Sequence, residues 1–298
     1  MGETKMFQGS MVALVTPMDA NGSIDYKTLQ ALVEWHIASG TRGLIIAGTT
    51  GEGATLTAEE QLALITQVVG LVAGRIPVIA GTGSHSTRQT LELTKQAKNA
   101  GADAALIVTP YYNKPTQQGL LAHYTLIADT IDLPIILYNV PARTACDLLP
   151  ETVETLSKHP RIIGIKEATV AIERGVDILN RCDPSFLVLS GHDATAYELI
   201  LRGGAGVISV TANIAPSQMQ AVCLAALAKD KTLAAKLNQE LMPLHDTLFL
   251  EPNPIPLKWA LHEMGRIPAG IRLPLTWFDK KYHAILRKTL VDTGLLRE

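Results

Sequence analysis

The sequence predicts an α/β fold, a (β/α)8 TIM barrel with a small C-terminal helical region. Eight short apolar runs alternate with longer amphipathic stretches, each run is β-rich and nearly unbroken in hydrophobicity, and the alternation stops near Lys229. Unbroken apolar runs mark strands covered on both faces, as in a parallel sheet wrapped by helices. Eight such strand–helix units favour closure of the sheet; an open doubly wound sheet is the competing arrangement.

In chain order the runs cover residues 11–16, 43–47, 77–80, 104–108, 134–138, 162–166, 186–189 and 206–210. The helix predicted over 25–39 starts on an aspartate cap and stops at Gly40. The next, over 57–72, opens on Thr57-Ala58-Glu59-Glu60, which has the spacing of a capping box. A third, over 87–100, ends before Gly101, and further helical patterns cover 117–130, 150–159, 172–181, 195–202 and 216–228. Beyond them 231–250, 256–264 and 279–293 read as helices, punctuated by Pro252, Pro254, Pro256 and Pro268. The expected division is a catalytic barrel over 1–228 and a helical region over 229–298, with no low-complexity linker.

Composition narrows the function. A chain of 298 residues that is 47% hydrophobic can bury one large core. The net charge of −2 gives no electrostatic case for nucleic acid or an anionic membrane as partner. No apolar run is long enough to span a bilayer. The opening residues 1–6 lack the apolar stretch of a secretion signal, and Met6 breaks the myristoylation pattern. Cys146, Cys182 and Cys223 are odd in number and widely spaced, which points to reduced thiols in a cytoplasmic protein rather than disulfides or zinc. The histidines show no H-E-x-x-H spacing, and Gly81-Thr82-Gly83 lacks the third glycine of a dinucleotide loop. Neither a metal nor a nucleotide cofactor is expected.

The active face of a barrel lies at the C-terminal ends of its strands. Lys166 ends the sixth run, and strict alternation places Ile162, Gly164 and Lys166 on one face. If that face is the interior, Lys166 points into the barrel mouth. Desolvation there would lower its pKa from about 10.4 and free an amine to form an imine with a ketone. A lysine snorkelling to solvent is the alternative. Tyr138 ends the fifth run and is either a proton shuttle or a core tyrosine with a bonded hydroxyl. Gly48-Thr49-Thr50-Gly51-Glu52 follows the second run. Its N–H groups and hydroxyls suit a carboxylate, or they simply cap the next helix. Arg143, on a loop after the fifth run, is either a carboxylate fork or a surface arginine. Tyr111-Tyr112 lines the site, anchors a subunit contact or packs locally.

Together these segments resemble the dihydrodipicolinate synthase/N-acetylneuraminate lyase family. The matching stretches are Gly48-Thr49-Thr50-Gly51-Glu52, Val108-Thr109-Pro110-Tyr111-Tyr112-Asn113, Leu137-Tyr138-Asn139-Val140-Pro141-Ala142-Arg143-Thr144, Gly164-Ile165-Lys166-Glu167 and Gly206-Val207-Ile208-Ser209-Val210. The resemblance runs from about Phe7 to Gly294, and Val-Pro-Ala-Arg-Thr after the tyrosine is similar to the synthase branch. It implies a Schiff base between Lys166 and pyruvate. Thr49 and Thr50 would bind the pyruvate carboxylate and, with Tyr138, manage protons, while Tyr112 would complete a relay from a neighbouring subunit. Arg143 would hold the carboxylate of L-aspartate 4-semialdehyde, and Gly191 and Ile208 would line the pocket through backbone groups. The implied assembly is a homotetramer, a dimer of dimers.

Lysine-inhibited members of the family hold the inhibitor at a dimer interface near Tyr111. The positions matching its other contacts here are Gly53, Ala54, Ala58, Gln61, His85 and Gln89. Gln89 stands where those members place a glutamate that pairs the inhibitor's ammonium. A neutral amide forgoes a charge-assisted bond of about 1.5–3 kcal/mol, so lysine inhibition is expected to be weak or absent. Two other functions compete: a different pyruvate aldolase on the same scaffold, for which Arg143 is the discriminator, and a catalytically silent barrel used for ligand binding.

Overall fold

The computed structural model describes residues 4–297; the first three of the opening residues discussed above lie outside them. Eight parallel strands close into a barrel in sequence order: β1 Gly9–Ala13, β2 Leu44–Ile46, β3 Val78–Gly81, β4 Ala104–Val108, β5 Ile135–Asn139, β6 Ile162–Glu167, β7 Leu187–Ser190 and β8 Gly206–Ser209, with β8 paired back onto β1. The surrounding helices are α1 Tyr26–Ala38, α2 Ala58–Val72, α3 Thr87–Asn99, α4 Gln117–Thr130, α5 Pro141–Thr144, α6 Pro150–Leu156, α7 Ile172–Arg181, α8 Ala196–Leu201 and α9 Pro216–Leu227. Then come α10 Lys231–Thr247, α11 Ile255–Glu263 and α12 His283–Asp292; α10 packs against α9 and α12. The predicted caps act as expected. Asp25 accepts from the Thr28 N–H, and Thr57 and Glu60 form a reciprocal capping box.

Apolar side chains fill two layers. The barrel interior holds Met11, Ile45, Ile79, Leu106, Ile136, Leu187, Leu189 and Ile208. Outside the strands, residues such as Leu44, Ile107, Leu137, Ile165 and Val188 meet the apolar faces of the helices. This two-sided burial explains why the strands read as continuous apolar runs.

Two expectations need correction. The first strand starts at Gly9, two residues before the apolar run. Gly9 pairs with Gly206, and a Cβ on Gly206 would lie 2.1 Å from the Gly9 carbonyl oxygen, so this seam closes only without a side chain. Hydrophobicity carries no trace of it. The second concerns β6. Its register against β5 jumps from Ile135↔Ile162 to Ile136↔Gly164, leaving Ile163 as an extra residue. A bulge of this kind reverses the alternation. Ile162 therefore packs in the outer layer and Ile163 against the interior, so Ile162 does not share a face with Lys166.

Three histidines are buried: His36, His123 and His245. Burial, joined by the Arg266 charge, holds His36 down at about 3; burial holds His123 at about 4 and lowers His245. Each is neutral in the folded protein and takes up a proton more readily once unfolded. The stability this confers is present above the unfolded value near 6.5 and is lost as pH falls below it, towards about 3 for His36 and about 4 for His123. Each histidine contributes a slope of up to about 1.4 kcal/mol per pH unit inside its window. Denaturant titrations at pH 7, 6, 5 and 4 should show stability falling steadily below about pH 6.5, with a shallower slope in His36→Phe. A flat profile down to pH 4.5 would refute this.

Candidate active site

The C-terminal ends of the strands surround a cavity of about 540 Å³. β6 delivers Lys166, which is only 6% exposed and lines the cavity wall. Its Nζ lies 4.4 Å from the centre of the Tyr138 ring, on the neighbouring strand β5, where the two residues are register partners. Among the described residues no carboxylate pairs with Lys166. Opposite, Gly191 follows β7, and a Cβ there would sit 3.0 Å from Lys166 Cε and 2.6 Å from Ala168 Cβ. A side chain at 191 would push the lysine from its position.

The strand ends are braced from behind. Glu167 points away from Lys166 and accepts from Asn139 Nδ2 at 3.0 Å and from the Thr169 N–H at 2.8 Å. Burial pushes its carboxyl above the usual range, and those hydrogen bonds oppose the rise. Asn139 also donates to Asp147 Oδ1 at 2.9 Å, and Asp147 pairs with Arg174 at 2.5 Å. This network joins the ends of β5 and β6, and with them Tyr138 and Lys166.

Thr49, Thr50, Tyr138, Arg143, Lys166 and Gly191 all line the one cavity. Thr50 is buried and Thr49 lies exposed at the rim. Arg143 sits on the short helix α5 rather than on a loop, because the Val140 carbonyl accepts from both the Arg143 and Thr144 N–H groups. Ile208 is buried in the barrel interior and is not part of the cavity lining. Tyr112 is 90% exposed, has a left-handed backbone at φ 75° and does not reach the cavity of its own chain.

Gly53, Ala54, Ala58, Gln61, Gln89 and Tyr111 line an extension of the same cavity. Gln89 Oε1 accepts from Ser84 Oγ at 2.7 Å, and Gln61 donates to the Gly53 carbonyl at 2.8 Å. His85 is outside the lining, with its ring edge-on to Tyr111 at 5.3 Å.

Sequence reasoning did not foresee four residues around this mouth. His192 lines the cavity, its Nδ1 bonded to Thr195 Oγ1 at 2.9 Å. Asn253, between α10 and α11, donates from Nδ2 to Thr50 Oγ1 at 3.0 Å, and its carbonyl accepts from Arg143 at 3.2 Å. Lys258 on α11 forms a fully buried ion pair with Glu52. Burial pulls its ammonium below the usual lysine range, and the Glu52 carboxylate opposes that pull. A signal for this pair existed: Lys258 interrupts the apolar stretch Ile255-Pro256-Leu257-Lys258-Trp259-Ala260-Leu261, and a charge buried in such a stretch needs a partner. Arg272 makes a two-pronged pair with Glu60, holding that carboxyl down at about 2.

Comparison with known proteins agrees with this fold. Residues 6–293 match the model of the Dihydrodipicolinate synthetase family. A 4-hydroxy-tetrahydrodipicolinate synthase from Pseudomonas savastanoi pv. phaseolicola is 59% identical over 98% of this chain and 100% of its own length. The chloride-inhibited dihydrodipicolinate synthase from Acinetobacter baumannii, solved in complex with pyruvate, is 53% identical with a TM-score of 0.96, covering 97% of this chain and 99% of that one. A monomeric dihydrodipicolinate synthase variant is 41% identical, also with a TM-score of 0.96, covering 98% of this chain and 99% of that one.

Proposed function

The chain belongs to the dihydrodipicolinate synthetase family, and we propose that it condenses pyruvate with L-aspartate 4-semialdehyde on a Schiff base at Lys166. The product is 4-hydroxy-tetrahydrodipicolinate, and the pathway is lysine and diaminopimelate biosynthesis. The observation that carries the reading is the buried Lys166 amine, free of any carboxylate among the described residues, in a cavity shared with Tyr138, the two threonines and Arg143.

The reaction follows from these groups. The Lys166 amine adds to the pyruvate ketone, and water leaves to give an imine. The imine withdraws electrons from the adjacent methyl group, which loses a proton to give an enamine. Thr50, with its neighbouring N–H groups, holds the keto-acid carboxylate, while Thr49 and Tyr138 carry protons to the oxygen that leaves as water, from the methyl carbon and to the aldehyde oxygen. The enamine carbon attacks the aldehyde, and a carbon–carbon bond forms as the aldehyde oxygen is protonated. The amine of the aldehyde substrate then displaces Lys166 and closes the ring. The scheme calls on no metal or nucleotide cofactor.

Arg143 grips the carboxylate of the aldehyde substrate, and Asn253 holds its guanidinium at the rim. Arg143→Ala should raise KM for the aldehyde by about 30-fold or more while leaving KM for pyruvate within about threefold. Wild-type turnover should be measurable with aspartate semialdehyde and absent with N-acetylneuraminate; the reverse preference would overturn the synthase reading in favour of a lyase.

The exposed Tyr112 supports an assembly in which a neighbouring chain receives it, with a dimer of dimers as the proposed form. The three free cysteines support a reducing, cytoplasmic setting, and no helix of the described residues is long and apolar enough to cross a membrane. Gln89, already bonded to Ser84, offers no charge to a lysine ammonium. Adding lysine up to millimolar concentrations should leave synthase turnover unchanged; sub-millimolar inhibition would contradict this.

A further inference from the structure

The turn that carries Thr49 and Thr50 ends on Glu52, a residue the reaction above does not employ. Glu52 adopts a left-handed backbone at φ 56°, a conformation that glycine or asparagine accepts more readily than glutamate. In that conformation its N–H donates to the Thr49 carbonyl at 3.1 Å and closes the turn. Its side chain is completely buried, pairs with Lys258 and accepts from the Arg272 backbone N–H at 3.0 Å. Lys258 lies behind the cavity wall rather than in it. Five residues earlier in the chain, Asn253 holds the Thr50 hydroxyl. The first turns of α11 and the segment that leads into it thus grip the turn at two points, Thr50 through Asn253 and Glu52 through Lys258.

Burying an ion pair strips water from both charges, and apolar residues of similar size often hold a fold equally well. What the pair adds here is direction. Lys258 fixes one carboxylate oxygen and the Arg272 N–H the other, so the side chain, and with it the left-handed residue, has one orientation. We propose, resting on the assignment of Lys166 to a keto acid, that Lys258 is a positioning residue for that keto acid's carboxylate. Acting through Glu52, it holds the Thr49–Thr50 turn so that Thr50 and the neighbouring N–H groups keep the geometry that receives the carboxylate, which makes the C-terminal helices part of the catalytic unit.

The double variant Glu52→Leu/Lys258→Met removes both charges together and leaves neither one buried alone. It should fold with a thermal midpoint close to that of the wild type, while KM for pyruvate rises about tenfold or more. The pyruvate concentration that half-saturates borohydride labelling of Lys166 should rise in parallel. KM for the aldehyde should change by less than about threefold, because Arg143 is held through Asn253 and not through Glu52. Lys258→Arg, which keeps the charge but alters its reach, should raise KM for pyruvate about threefold or more and is decisive by itself if the double variant does not fold. Folded variants with wild-type KM for pyruvate overturn the proposal, and so does a loss confined to the thermal midpoint or to kcat. Failure of the wild-type enzyme to be labelled would instead remove the assignment of Lys166.

Discussion

Lys166→Ala should reduce synthase turnover by about 10⁴-fold or more, the scale on which loss of a covalent nucleophile registers. The same variant should lose the mass increase that borohydride leaves on the wild-type enzyme in the presence of pyruvate. Its stability should move the other way. Lys166 is almost wholly buried and among the described residues pairs with no carboxylate; its one noted partner is the face of the Tyr138 ring. Holding an amine there is costly when it is protonated, so removing it should leave the thermal midpoint unchanged or higher. Turnover within tenfold of wild type, or a label persisting on the variant, would show that the reacting amine lies elsewhere. A midpoint several degrees lower would show that this lysine supports the fold rather than the chemistry.

The sequence announced the barrel because burial on both faces leaves a trace that needs no knowledge of neighbours. Strands β4 and β5 and helices α4 and α7 could be read almost residue by residue from such runs and their flanking caps. What escaped depends on contacts distant in the chain. Gly9 belongs to β1 only because Gly206 approaches it, and the bulge at Ile163 arises from pairing with β5, so neither leaves a mark on local hydrophobicity. The same holds around the cavity. Lys166 and Tyr138 stood out because each ends an apolar run, and Arg143 because it follows one closely. Glu52 and Lys258 are 206 positions apart, so the apolar stretch around Lys258 signals that the lysine needs a partner but not which carboxylate supplies it. Tyr112 goes one step further: within its own chain it faces outwards, and the role proposed for it requires a neighbouring chain.

Tyr138→Phe separates chemistry from packing more cleanly than any other substitution at the mouth. The molecule supplies its own control. Tyr124, fully buried in the outer layer, donates its hydroxyl to the Ile107 carbonyl at 3.2 Å, as a structural tyrosine should. Tyr138 lines the cavity, and among the described residues no protein group hydrogen-bonds its hydroxyl. Phenylalanine keeps the ring beneath Lys166 Nζ and the packing against the interior cluster, and deletes only the proton donor. Stability should therefore be little changed and pyruvate should still be trapped on Lys166, while kcat falls by about 10²- to 10⁴-fold, the range for loss of a general acid–base group. Both halves of that outcome are needed. A variant that turns over within about threefold of wild type would make the hydroxyl dispensable. One that no longer traps pyruvate would mean that Tyr138 is needed to form or hold the imine itself, not only to move protons afterwards.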